Sequence, residues 1–176
     1  IETIKHKTLN KTFKVECRDG FWDDYIISEN IRSNQYSKLN LKSNDVVLDI
    51  GSHIGTFSIV SAVTSKKVIC YEASKENFKL LNKNVVHNNL DNVISFNQAV
   101  GGGDEKLITF YVNKGRDKKS EYDEHGMIVP KDKTVNTGAH STIRIAGRTT
   151  EVVSCVNINT VLNTHKPNKI KLDCEG

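Results

Sequence analysis

The 176-residue sequence predicts an α/β fold built on a doubly wound, mostly parallel sheet. Three observations predict it. Strand-like and helix-like segments alternate from residue 46 to 100. The strand segments are apolar on both faces, as strands covered on both sides by helices must be. A glycine turn, "DIGSHIG" at 49–55, follows the first of them. Strand, helix, strand, helix, strand within about 55 residues implies right-handed crossovers and parallel pairing.

Taken in order, residues 1 to 40 read as an N-terminal lid, with short alternating stretches such as "KTFKVECR" followed by a helical "ISENIRSNQYSKLNL". "VVLDI", 46–50, is the first core strand, and a helix follows from about Ile54 to Thr64. "KVICYEA", 67–73, is the second strand. Ser74 is placed to cap a helix from Lys75 to about Asn88, with Phe78, Leu81 and Val85 on its apolar face. "NVISFNQAV", 92–100, is the third strand, closed by three glycines. "KLITFYVN" and "STIRI" then alternate like antiparallel strands around a polar loop, 114–140. "EVVSCVNINTVL" is a strand running into a short helix, and "NKIKLDCEG", 168–176, a buried strand ending in carboxylates. The domain proper is residues 41–176, with 114–140 as an insertion. The chain starts without Met and stops directly after a strand, so the sheet reads as truncated after its fourth core strand.

Composition narrows the function. Hydrophobic residues at 37% and charged residues at 26% are those of a globular domain. A net charge of +4, spread along the chain except at Lys114–Lys119, argues against a dedicated nucleic-acid binder. No apolar run approaches the roughly 20 residues that span a bilayer, and no signal peptide is visible. Cys17, Cys70, Cys155 and Cys174 form no C-x-x-C pair, which predicts no metal site and a reduced, cytoplasmic setting.

The chemistry is expected at the carboxyl ends of the parallel strands. Asp49, Glu72 and the pair Asp173 and Glu175 all stand at such ends. The turn Asp49-Ile-Gly51-Ser52-His53-Ile-Gly55 lacks the G-x-G-x-x-G spacing that brings a backbone against a pyrophosphate. A carboxylate at position 49 suits a cationic amino or sulfonium group better, and the helix N-terminus after Gly55 suits a carboxylate. S-Adenosylmethionine carries all three groups. Glu72, 21 positions after Gly51, is placed to accept from ribose hydroxyls, a feature that a nicotinamide-dependent oxidoreductase would share. Asn97 and Gln98 are placed to address an adenine edge.

The stretches "VVLDIGSHIGTFSI", "KVICYEASKENFKLLNKNVVHNNLDNVISFNQAVG" and "KIKLDCEG" together resemble the FkbM-type family of S-adenosylmethionine-dependent methyltransferases. The resemblance covers roughly residues 30–103 and 150–176. It implies a Rossmann-like class I methyltransferase fold and O-methylation of a hydroxyl on a sugar, glycan or other small molecule. By the same resemblance, Asp49, Gly51 and Gly55 hold the methionine end of the cofactor, Glu72 the ribose, and Gln98 and Ala99 the adenine. Ser52 and His53 replace the family's usual Ala-Asn in the turn. Tyr36 is placed to close over the cofactor, and Ala73 completes the set. Asp173 and Glu175 edge the reaction centre, with Asp173 either taking the acceptor's proton or only tying down a loop. His140 and Ser141 are the candidate acceptor contacts. Two alternatives stay open: a nicotinamide-type oxidoreductase, and a nucleotide-binding module without catalysis.

Overall fold

A computed structural model describes residues 1–112 and 149–174. Two short strands, β1 (Glu2–Lys5) and β2 (Thr12–Val15), form an antiparallel hairpin with Ile4 opposite Phe13. Helix α1 (Asp23–Ile27) continues into a wide π turn, Ser28–Arg32, and then a 3-10 turn, Gln35–Leu39. The core follows as β3 (Val46–Ile50), α2 (Thr56–Thr64), β4 (Lys67–Tyr71), α3 (Lys75–His87) and β5 (Val93–Phe96). Then come β6 (Ala99–Gly101), β7 (Leu107–Val112), β8 (Thr149–Asn157), α4 (Ile158–His165) and β9 (Lys169–Leu172).

The central sheet has the order β5-β4-β3-β9, every pair parallel. The last strand returns beside the first, so the strand order reverses between β3 and β9, the position at which such sheets bind ligands. Alternation along β3 and β4 sends residues to two cores. Val47, Val68 and Cys70 meet Phe57 and Ala62 of α2 and Leu81 of α3 on one face. Leu48, Ile50, Ile69 and Tyr71 meet Val161 of α4 on the other. Helices therefore cover both faces, as the doubly wound reading requires.

Helix α2 is buried on all sides, from Thr56 to Ala62. The N-terminal segment is the reason. Phe13, Val15, Ile27 and Ile31 pack over its outer side against Ile59 and Val60. Each such aliphatic or aromatic side chain contributes about 1.5–3 kcal/mol on burial, so the first forty residues are part of the core rather than an appendage to it. Two asparagines, one in α3 and one capping its C-terminus, hold this segment in place. Asn84, fully buried, accepts from the Glu16 amide at 2.6 Å and donates to the Ile54 carbonyl at 2.8 Å. Asn88 brackets the backbone of Lys14, accepting at 3.0 Å and donating at 2.8 Å.

The third strand departs from the sequence expectation of one run over 92–100. It breaks at Asn97, whose amide donates to the carbonyls of Glu72 (2.8 Å) and Ala73 (3.0 Å). The side chain thereby replaces the ladder beyond β4's last residue, and the chain turns away. Residues 99–101 join a separate sheet of order β6-β8-β7, in which β6 and β8 are parallel and β7 and β8 antiparallel. The expected strand "STIRI" and the loop 114–140 lie outside the described residues. All four cysteines are free. Among the described residues no helix is long and apolar enough to cross a membrane, and no group of His, Cys, Asp and Glu could hold a metal ion.

Candidate functional site

The site starts from the turn after β3. The amides of Gly51 and Ser52 both donate to the Tyr71 carbonyl, at 3.0 and 3.1 Å, and the Asp173 amide donates to the Ile50 carbonyl at 3.1 Å. The turn is therefore clamped between the ends of β4 and β9. Gly51 has a φ of +76°, and a Cβ there would stand 2.1 Å from the Asp173 carbonyl oxygen. Glycine is needed on both counts. Gly55, at φ +85°, precedes α2 and sits against Leu81, so it shapes the helix start without reaching the cavity described below. The Ser52 hydroxyl donates to the carbonyls of Asp49 (2.8 Å) and Tyr71 (3.3 Å) and fixes the turn from inside.

Glu72, at the end of β4, is buried and accepts from the His53 amide at 2.7 Å and the Ser74 amide at 2.9 Å. Burial raises its pKa, and those two amides oppose the rise. Each carboxylate oxygen keeps further acceptor capacity for a ligand. His53 has a left-handed φ of 52° and is buried. Burial drives its pKa down to about 4, so the ring is neutral at physiological pH.

Asp49 does not behave as the sequence suggests. Its carboxylate is fully buried, accepts from the Ser58 hydroxyl, and lies 3.2 Å from the ammonium of Lys171. Alternation along β3 points it to the α2 face, beneath the turn, where it meets a cation of the protein and not a ligand. Lys171 carries no signal in the sequence, because the acid it pairs with, Asp49, lies 122 positions earlier in the chain. It donates to the Gly51 carbonyl at 2.8 Å, lies 3.6 Å from Asp173, and sits 5.9 Å above the rings of Tyr36 and Phe57. Burial lowers its pKa, but Asp49 and Asp173 outweigh this and the net shift is upward.

A cavity of about 540 Å³ opens along the carboxyl edge of the sheet, within the range of roughly 300–1,000 Å³ of small-molecule sites. Gly51, Ser52 and His53 form one end, Glu72 and Ala73 the middle, and Gln98 and Ala99 the far side. Asp173 and Lys171 border it from β9, and Trp22, Tyr25 and Ile26 wall it from the N-terminal segment. Asn97, turned back to β4, does not line it. Tyr36 stands behind the wall and reaches the site only through its hydroxyl, which donates to Asp173 at 3.0 Å. Glu175, His140 and Ser141 lie outside the described residues.

The residues present fit S-adenosylmethionine on three observations. Glu72 offers acceptors at the middle of the cavity. Asp173, more than half exposed, offers a second carboxylate at the glycine-turn end. The wall at Gly101–Gly103 is bare backbone, where a Cβ on Gly102 would meet nothing within 4 Å. The sequence signal for that wall was the glycine run itself.

A family model described as the TRM5/TYW2 methyltransferase domain matches residues 3–109; the methyl donor of that family is S-adenosylmethionine. No curated protein matches the chain. Among solved structures, a tRNA m1G37 methyltransferase of M. jannaschii is 19% identical, with a TM-score of 0.37 over 58% of this chain and 36% of its own. The tRNA (m1A58) methyltransferase TrmI of Aquifex aeolicus is 30% identical, with a TM-score of 0.34 over 48% of this chain and 32% of its own. An rRNA methylase of Streptococcus thermophilus is 16% identical, with a TM-score of 0.36 over 39% and 42%. The matched part thus spans well under half of each of these chains.

The family match corrects two expectations. The FkbM-type resemblance does not hold: the family model that matches is that of the TRM5/TYW2 methyltransferase domain, and the "KIKLDCEG" ending lies outside its matched residues. The exclusion of nucleic acid as a partner fails with it, since a diffuse charge of +4 says little about a local contact.

Proposed function

Because the chain belongs to the TRM5/TYW2 methyltransferase domain family, we propose that it transfers a methyl group from S-adenosylmethionine to an RNA of the tRNA class. The observation that carries the donor half is the convergence of Glu72, Gln98 and Asp173 on one cavity at the strand-order reversal. The acceptor half is supported by the family match, which runs from the N-terminal hairpin through the glycine turn to β7.

When bound, S-adenosylmethionine supplies a methyl carbon activated by its sulfonium. The residues of the chain bind, orient and handle the proton. Glu72 accepts from the ribose hydroxyls, Gln98 and Ala99 border the adenine, and Ser52 and His53 flank the methionine end. Trp22 and Tyr25 of the N-terminal segment wall the cavity and exclude water from it. Asp173, steadied by the Tyr36 hydroxyl, orients the acceptor or takes its proton at a carboxylate oxygen. Glu175 is assigned to the same edge, and His140 and Ser141 to the acceptor, from their sequence positions. A cytoplasmic setting accords with this reading.

The test is transfer of tritiated methyl from S-adenosylmethionine to transcribed tRNA, followed by nuclease digestion to nucleosides. Label in a single nucleoside supports the proposal, and the chromatographic position of that nucleoside identifies the methylated atom. Binding of S-adenosylhomocysteine with no label in any RNA overturns the acceptor.

A further inference from the structure

Lysines and arginines run along the whole chain, but the acids that offset them do not. Residues 3–14, "TIKHKTLNKTFK", hold four lysines and no acid, against 25 Lys and Arg and 21 Asp and Glu in the whole chain. The rest of the chain is therefore balanced, and the excess of positive charge stands on the N-terminal hairpin.

The register of the hairpin shows where those charges point. Ile4, opposite Phe13, forms with Val15 the buried face that packs over α2. The pairs Thr3–Lys14 and Lys5–Thr12 form the other face, and all four of these side chains are exposed. Lys5 and Lys14 are diagonal neighbours there, about 7–8 Å apart. Lys7 and Lys11 are exposed at the turn. Among the described residues, none of the four ammonium groups has an ion-pair partner. The two acids that flank the stretch are engaged elsewhere. Glu2 lies 3.5 Å from Arg32, and Glu16 holds Lys83 and His87. Like charges set side by side on a strand pair repel, so this face suits an anion that arrives from outside the chain.

The face is also held rigidly. The His6 amide donates to the Lys11 carbonyl at 2.8 Å, and Asn88 brackets the backbone of Lys14. From β2 the chain runs on to Trp22, at the wall of the large cavity. One packed segment thus carries both the charged face and a wall of the cofactor site.

We propose that the outer face of this hairpin binds the phosphate backbone of the RNA acceptor, an assignment that rests on the RNA reading above. Lysines neutralise phosphates, and the threonine hydroxyls between them donate to phosphate oxygens. Such contacts hold a nucleic acid in place without reading its sequence. A lipid surface would instead take up apolar side chains, and Thr3 and Thr12 offer none on this face.

The test measures binding of transcribed tRNA by fluorescence anisotropy across a salt series, in excess S-adenosylhomocysteine. Lys5→Gln combined with Lys14→Gln should weaken binding about tenfold at moderate salt and make the logarithmic salt dependence shallower by about 1 for each lysine. Lys5→Arg combined with Lys14→Arg keeps the charge and should bind as wild type. Lys42→Gln combined with Lys66→Gln removes the same charge from exposed positions just before β3 and β4, at the opposite edge of the sheet from the cavity, and should leave both readings at wild type. All these variants change exposed side chains and should keep the wild-type melting temperature and S-adenosylhomocysteine affinity, so a lost fold cannot imitate the effect. Equal losses from the two glutamine pairs, or none from the hairpin pair, overturn the assignment. So does a hairpin pair that is needed for binding vesicles of phosphatidylcholine and phosphatidylserine and not for tRNA, which makes the face a lipid surface. If wild type methylates tRNA in these cases, the RNA reading stands without the hairpin. If wild type neither binds nor methylates tRNA, the RNA reading falls and the assignment falls with it.

Discussion

The Lys171 ammonium lies 3.2 Å from the Asp49 carboxylate, so the acid at the tip of the first core strand is answered from the last strand. Both groups are almost wholly buried, and the same ammonium holds the Gly51 carbonyl. The pair thus fixes the turn on which the cavity is built.

Removing one partner leaves the other charge buried and unpaired. Lys171→Met should cost about 3–5 kcal/mol in urea unfolding, and adding Asp49→Asn should recover a large part of that loss. Additive losses would show that the pair is not coupled. Because the folded pKa of Lys171 is raised, its contribution is complete below the unfolded value of 10.5 and disappears as pH rises through the folded value. Wild type should therefore lose more stability than Lys171→Met at strongly alkaline pH.

His53 carries the acid-side prediction. Its folded pKa is about 4 against an ordinary 6.5, so the unfolded chain takes up a proton that the folded one refuses. Stability is complete above pH 6.5 and falls as pH drops toward 4, by about 3 kcal/mol. Glu72, whose pKa burial raises, acts in the opposite sense, so the difference between wild type and His53→Asn isolates the histidine. Asn tolerates the left-handed φ of this position. Parallel stability–pH curves for the two proteins would remove the histidine as the cause.

Gly51 and Gly102 make a controlled pair. Ala at 51 places a methyl 2.1 Å from the Asp173 carbonyl oxygen at a φ of +76°, and thermal melting should show a loss of several kcal/mol, beyond the roughly 1 kcal/mol of an ordinary glycine effect. Ala at 102 meets nothing within 4 Å, and it should leave stability within about 0.5 kcal/mol of wild type. Since that methyl enters the bare wall of the cavity, its effect should fall on S-adenosylhomocysteine affinity instead.

Much of this arrangement was legible in the sequence because it rests on local rules. The apolar runs at 46–50 and 67–71 are buried and pair in parallel as expected, whereas the last strand, expected to be buried, exposes Ile170 and Leu172 and buries Lys171. Ser74 caps α3 as its position suggested, accepting from the Asn77 amide at 3.4 Å. What stayed hidden depends on distant partners. Nothing in "NVISFNQAV" reveals that Asn97 will cap β4 and break the strand. Nothing near Asp49 announces a lysine more than a hundred positions away. The apolar stripe Phe78, Leu81, Val85 was visible on α3, whereas Asn84 carries no signal of its own in the sequence: its three partners, Glu16 N, Glu16 O and Ile54 O, come from elsewhere in the chain.

That asparagine gives a further prediction. Asn84→Ala deletes those three bonds at a fully buried position and should cost about 2–4 kcal/mol. Hydrogen exchange should show β1 and β2 losing protection before the central sheet does. Uniform loss across both would mean that the N-terminal hairpin is not held independently through α3.

Calorimetric titration with S-adenosylhomocysteine, run beside NAD, tests the assignment of the cavity at the carboxyl edge most directly. S-Adenosylhomocysteine should bind at one site, and Glu72→Ala should weaken it by about 1.5–3 kcal/mol, roughly 10- to 150-fold, while NAD gives no heat. NAD binding without S-adenosylhomocysteine, or equal affinity in wild type and Glu72→Ala, would contradict it.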